Sequence, residues 1–313
     1  MRRTTPLAAT ALLGLALVAP TVAASAAEVT CQGSTATLVG TGPTVTGTEG
    51  RDVIVTGPAS TVDALGGDDL ICVRPVEGST ILEIDAGAGD DSVVSETGTN
   101  ISFVDLGPGR DSFVSGNGED RVTASFDDTI AADRGTDLVT YVLAPDEALP
   151  TTVGSLSGSR TAVLAVRVVA PGRRITIDAR ARNVRVSQQV VTTIGVVPRI
   201  FHAVAQHVTL IGTPGPDRLA ATACASATVR GRGGDDEILR DGDGAPPRRE
   251  CRHSHMLASG GAGDDRITGT VNNDVLRGGR GNDVLEGRRG KDVARGGRGR
   301  DTCRAERSSS CER

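Results

Sequence analysis

Tryptophan is absent from this 313-residue chain, tyrosine occurs once, and aromatic side chains make up 2%. A globular core of ordinary thickness is anchored by large aromatics, so the interior must be narrow and filled by Val, Ile, Leu and Ala. Long helices are excluded by 41 glycines, since each interior Gly costs a helix about 1 kcal/mol relative to Ala. Collagen is excluded because Gly does not recur at every third position. Beyond the N-terminus no apolar run reaches the 18 residues of a membrane span. Catalytic signatures are missing as well: there is no HExxH and no P-loop. GSLSG at 154–158 puts Leu156 where a nucleophile elbow needs its Ser. Acid pairs are numerous (Asp68-Asp69, Asp90-Asp91, Asp127-Asp128, Asp235-Asp236, Asp264-Asp265). Their repetition argues against one general acid/base pair, and no enzyme is expected.

The N-terminus reads as an export signal. Arg2 and Arg3 precede an apolar run from Leu7 to Ala19, and Ala24-Ser25-Ala26 fits a signal-peptidase site, so residues 1–26 are expected to be removed. Losing those two arginines from 34 basic residues leaves 32 against 39 acids, net −7, which argues against a nucleic-acid partner for the whole molecule. Lys291 is the only lysine, and from Arg288 onward basic residues outnumber acids. Six cysteines (Cys31, Cys72, Cys224, Cys251, Cys303, Cys311) follow the signal. An even count in an exported chain suggests disulfides. Among 15 possible connectivities, sequential pairing is the most economical: Cys31–Cys72, Cys224–Cys251 and Cys303–Cys311. A metal cluster at Cys251, His253 and His255 is the weaker alternative.

From Gly260 the chain divides into five contiguous nonapeptides: GGAGDDRIT, GTVNNDVLR, GGRGNDVLE, GRRGKDVAR and GGRGRDTCR. The sixth position is always Asp: Asp265, Asp274, Asp283, Asp292 and Asp301. The Gly- and Asp-rich start favours a turn, and the last three residues favour a short strand with its middle side chain inward. Nine residues then make half a coil, and eighteen make one rung. Rungs stack at about 4.8 Å, so Asp265, Asp283 and Asp301 should share one edge, and Asp274 and Asp292 the other. Carboxylates stacked so closely repel unless a cation lies between them. An all-oxygen environment suits Ca2+, with Mg2+ second.

These residues resemble the RTX, or hemolysin-type, calcium-binding repeat, GGxGxDxUx. The resemblance covers 260–304 and implies an all-β fold, a right-handed parallel β-roll or β-solenoid. It also implies calcium held between turns by the five Asp carboxylates and by backbone carbonyls. Departures within the array are Asn272 at a turn Gly, Lys291 and Arg300 beside their Asp, and the small inward residues Ala294 and Cys303; they suggest that the last units form a cap.

Looser copies place Asp52 (GTEGRDVIV), Asp69 (LGGDDLI), Asp91 (GAGDDSVV), Asp111 (GPGRDSFV), Asp120 (GNGEDRV), Asp137 (RGTDLV), Asp217 (GTPGPDRLA) and Asp236 (RGGDDEIL). Most gaps between them suit one whole coil per Asp, with a plainer turn opposite. Asp52, Asp69, Asp91, Asp111, Asp120, Asp217 and Asp236 join the five strict-repeat aspartates as candidate metal ligands. Alternatively, these turns merely cap strands.

The expected organisation is a signal at 1–26, a loose repeat array at 27–140, a β-rich segment without Gly-Asp turns at 141–210, a second array at 211–304 and a tail at 305–313. His202 and His207, five residues apart, are expected to share no face. The functional expectation is a secreted calcium-binding protein with a structural or interaction role, folding as it meets extracellular calcium, with its protein or polysaccharide partner unidentified. The alternatives are a calcium-dependent polysaccharide-acting β-helix enzyme and a cell-surface adhesin.

Overall fold

The computed structural model describes residues 28–74, 81–95, 101–132, 137–144, 147–158, 163–168, 172–195, 198–240 and 254–312. The expected signal segment, Cys251 and His253 lie outside them. Every regular element among the described residues is a β-strand. The strands form two faces of a flattened solenoid, and most pair in parallel with the strand one coil later.

Face A starts with Thr44–Thr48, Thr61–Leu65, Ile81–Asp85, Ile101–Asp105, Asp120–Ala124, Leu138–Leu143 and Val163–Val168. It continues through the first halves of Ile200–Ile211 and Arg218–Arg230 to Glu237–Leu239, Arg266–Thr268, Val284–Glu286 and Thr302–Arg304. Face B runs from Leu38–Val39 through Val53–Val55, Leu70–Val73, Ser92–Ser95, Ser112–Val114, Thr129–Ala132 and Gly154–Gly158 to Gln189–Ile194. Two antiparallel strands, Asn183–Val186 and Arg174–Asp178, then interrupt it. Parallel pairing resumes with the second halves of Ile200–Ile211 and Arg218–Arg230, followed by His255–Ala262, Val275–Arg280, Val293–Arg298 and Arg307–Ser309.

Alternation explains why these segments are strands. Leu138–Leu143, for example, alternates half-buried and buried positions along its length, so one side of each strand faces inward. Coil stacking then lines up the inward residues. On face B the column is Ile54, Ile71, Val93, Phe113, Ile130, Leu156 and Ile194. On face A it starts with Val45, Val62, Ile84, Val104, Val122, Val139 and Leu164. The expected narrow aliphatic interior is therefore present, with Phe126 and Tyr141 stacked at 5.6 Å between ring centroids. GSLSG at 154–158 is a face B strand with Leu156 buried.

One local finding differs from the sequence reading. The strict units do not all make three-residue strands, because Val275–Arg280 and Val293–Arg298 run through the next Gly pair with Gly279 and Gly297 in register. Those glycines hold φ of 134° and 126°, which an L-residue rarely adopts, so the sheet carries into the turn. The pairing of Ile200–Ile211 slips between Ala205 and His207, where the strand passes from face A to face B. His202 pairs with Ala165 on face A and His207 with Arg174 on face B, so the two histidines share no face, as expected. His207 Nδ1 sits 2.8 Å from Ser226 Oγ.

Both ends are closed covalently. Thr30–Cys31 and Ser34–Thr35 form an antiparallel hairpin. Cys31 is bonded to Cys72 and packs with Val53 and Val55. Cys303–Cys311 closes the other end. Cys224 is disulfide-bonded, and its expected partner, Cys251, is outside the described residues.

Candidate metal centre

The chain passes between the faces at two edges, and the aspartates collect there in ladders. The backbone N–H of each Asp donates to Oδ1 of the Asp one coil later. On the edge leading from face A to face B the run is Asp52, Asp69, Asp91, Asp111 and Asp128, with N···O distances of 2.7–2.9 Å. On the opposite edge Asp120 donates to Asp137. Further along that edge stands a second run, Asp217, Asp236, Asp265, Asp283 and Asp301, at 2.9–3.0 Å. Asp274 donates to Asp292 on the first edge, and Asp292 to Glu306. Every sequence-predicted carboxylate thus belongs to a ladder, and Asp265, Asp283 and Asp301 occupy the edge opposite Asp274 and Asp292 as expected.

Sequence reading missed two members. Asp128, seen only as half of an acid pair, ends the first ladder because TASFDD lacks the turn glycines. Glu306 ends another because the step has shortened to 14 residues. The fifth repeat position forms an outer exposed ladder that was also missed: Asp235 accepts from Asp264, Asp264 from Asn282, and Asn282 from Arg300.

The ladders leave the second carboxylate oxygen in one of two states. Oδ2 of Asp69, Asp91, Asp111, Asp236, Asp265, Asp283, Asp292 and Asp301 is buried without a hydrogen-bond partner. An orphaned buried charge of this kind is costly unless something compensates it. Asp52, Asp217 and Asp274 are different, because a Thr replaces the second Gly of their turns. Thr48, Thr213 and Thr270 each donate both the backbone N–H and the hydroxyl to the Asp four residues on. Each of these Thr turns also begins a ladder. At the far end of the first ladder, Ser125 N–H donates to Asp128 Oδ2.

Burial shifts these acids upward. Asp111 is 1% exposed, and desolvation, reinforced by Asp128 and Asp91, pushes its carboxyl up to about 8. By the same cause Asp128 and Asp236 reach about 7, and Asp91 and Asp265 about 6. Asp69, Asp217, Asp274, Asp283 and Asp292 are also raised by desolvation. At Asp52 desolvation is the largest single influence and acts upward, yet the hydrogen bonds from Thr48 and Thr37 together bring it below its ordinary value.

The first glycine of each strict unit is dictated by this geometry. A Cβ on Gly260 would lie 2.0 Å from Asp265 Oδ2, and one on Gly278 2.2 Å from Asp283 Oδ2. No group of three or more His, Cys, Asp or Glu side chains that could hold a metal occurs among the described residues. With no three of these side chains converging, an ion at these turns would take its remaining oxygens from backbone carbonyls. The orphaned, desolvated oxygens fit a hard divalent cation.

Comparison with known proteins agrees for one part of the chain. Residues 258–285 and 268–303 match the RTX calcium-binding nonapeptide repeat (4 copies). The match covers the C-terminal array alone. No curated protein matches the chain. No described helix is long and apolar enough to cross a membrane.

Proposed function

We propose that the RTX-type calcium-binding repeats of 258–303 make this chain a secreted, non-enzymatic calcium-binding protein whose folding is completed by calcium. One observation carries the reading: the repeat turns stack buried carboxylate oxygens that lack any donor. In their ionised form those oxygens favour a cation between neighbouring turns. Asp236, Asp265, Asp283, Asp292 and Asp301 are the proposed carboxylate ligands of the C-terminal array, and Asp69, Asp91 and Asp111 those of the N-terminal one. Asp120 sits in the same type of turn and is kept as a ligand. Asp52, Asp217 and Asp274 are proposed to serve first as Thr-capped ladder starts, since their oxygens already have donors.

Calcium, when bound, supplies the positive charge that the ladders lack. Without it, mutual repulsion would loosen the array, as suits a chain awaiting export. Extracellular calcium modules bind at about 10⁻⁴–10⁻³ M, so folding would follow the compartment. The buried disulfide Cys31–Cys72 fits an oxidising setting.

The test is calorimetry and far-UV circular dichroism with and without millimolar calcium, on the full chain and on Asp265→Asn/Asp283→Asn. Asn keeps the Oδ1 acceptor and removes the charge. Fewer bound ions in the variant, and a calcium-dependent gain of strand signal in the parent, are expected. Unchanged ion uptake by the variant would refute the assignment.

A further inference from the structure

The outward side of face B changes character at its C-terminal end. From His255 on, its outward residues are His255, Leu257 and Ser259, then Val275, Arg277 and Arg280, then Val293, Arg295 and Arg298, then Arg307 and Ser309. No acid is among them. The parallel register stacks Arg277 on Arg295 and Arg280 on Arg298, and sets Arg307 beside Val293. All five arginines are exposed. Among the described residues, the ion pairs Arg110–Asp90 and Arg218–Glu237 do not involve them. Of the acids nearest in sequence, Asp283, Asp292 and Asp301 are buried in the ladders, while Glu306 is exposed beside Arg307 and accepts from Asp292 N–H. The outer ladder follows the same trend, passing from Asp235 and Asp264 through Asn282 to Arg300.

We infer that this face, centred on Arg277, Arg280, Arg295, Arg298 and Arg307, binds a linear anionic polysaccharide through its carboxylate or sulfate groups. Guanidinium forks engage such groups through paired, charge-assisted hydrogen bonds. Rungs recur at about 4.8 Å, so a polymer lying along the solenoid axis meets a guanidinium on successive coils. Nucleic acid is the poorer occupant. Residues 254–312 contain no Phe, Tyr or Trp on which bases could stack, and His255 is the one imidazole on the face. The inference rests on strand register and is independent of the calcium assignment.

Affinity electrophoresis of the full chain in calcium tests it, using hyaluronan as the carboxylate probe, dextran sulfate as the sulfate probe, and unmodified dextran and duplex DNA as controls. Either charged polysaccharide should retard the protein while dextran does not, and which one does identifies the group recognised. Arg295→Ser/Arg298→Ser should bind about tenfold more weakly, the loss expected for two charge-assisted contacts, with unchanged circular dichroism and calcium uptake. Equal retardation of that variant and the parent overturns the proposal. So does stronger retardation by DNA. Salt-sensitive self-association abolished by Asp85→Lys/Asp105→Lys would also overturn it, because the stacked acids of face A in a second copy would then be the occupant.

Discussion

The ladder from Asp52 to Asp128 and the ladder from Asp217 to Asp301 share one device on opposite edges, but they stand on different interiors. In the N-terminal half each coil brings a large aliphatic or aromatic residue inward, and the face B column includes Ile54, Ile71, Phe113 and Ile130. In the C-terminal half the same column reads Val229, Ala258, Leu276 and Ala294. There, however, carboxylates line both edges, since Asp274 and Asp292 face away from Asp265 and Asp283. One half is held mainly by apolar burial with acids along one edge for much of its length. The other has a face B column thinned by Ala258 and Ala294 between two charged edges, while its face A column keeps Leu219, Ile238, Ile267 and Leu285. Its stability must depend more on what neutralises those edges.

Removing calcium should sharpen this contrast most. With a chelator, amide hydrogen exchange is expected to lose protection first across 258–304, while Ile54, Val104 and Ile130 stay protected. Uniform loss across both halves would erase the distinction. Phe113→Ala should reverse the asymmetry by costing about 3–5 kcal/mol, read as a lower denaturation midpoint in calcium with 258–304 still protected. The two terminal disulfides offer a milder comparison. The loop-entropy relation gives about 4 kcal/mol for the 41-residue separation of Cys31–Cys72 and about 2.5 kcal/mol for the 8-residue separation of Cys303–Cys311. Thermal melts of Cys72→Ser and Cys311→Ser should fall in that order.

Acidity distinguishes the halves by its window. A carboxyl whose pKa is raised on folding holds its proton more tightly in the folded state. Its contribution is therefore complete below the unfolded value near 3.8 and is lost as pH rises through the folded one. In chelator, stability should fall from pH 4 upward in both halves. The loss should extend to about 8 in the N-terminal half, where Asp111 titrates, but end near 7 in the C-terminal half, where Asp236 does. Calcium should flatten both profiles. The smallest effect is expected from Thr213→Ala, which deletes the hydroxyl bond to Asp217 and should cost about 1 kcal/mol. Added calcium should not restore it if Asp217 is a Thr-capped ladder start; full restoration would make Asp217 an ordinary ion site.

Much of this was legible in the residues because the solenoid is nearly one-dimensional. The step of nine assigned Asp265, Asp274, Asp283, Asp292 and Asp301 to alternating edges, and alternation marked the strands, since every coil meets only its neighbours. Asp128 and Glu306 escaped notice because a ladder ends where the next turn is missing, so their own turns need not keep the glycines. That Ile200–Ile211 passes from one face to the other, with His202 on face A and His207 on face B, left no trace in its alternating apolar sequence. The difference between Thr48, Thr213 and Thr270 and a second glycine was visible as a letter, but not as a hydrogen bond.

The amino-acid order alone determined the coil period, the inward and outward sides of each strand, and which acids recur, because those follow from local chain geometry. Only the folded stack decided which carboxylate oxygens find donors and which are buried without one. It alone also decided which arginines share a face. Those outcomes depend on the residue one coil away, and the number of residues per coil is set by the turns, not by the strands they join.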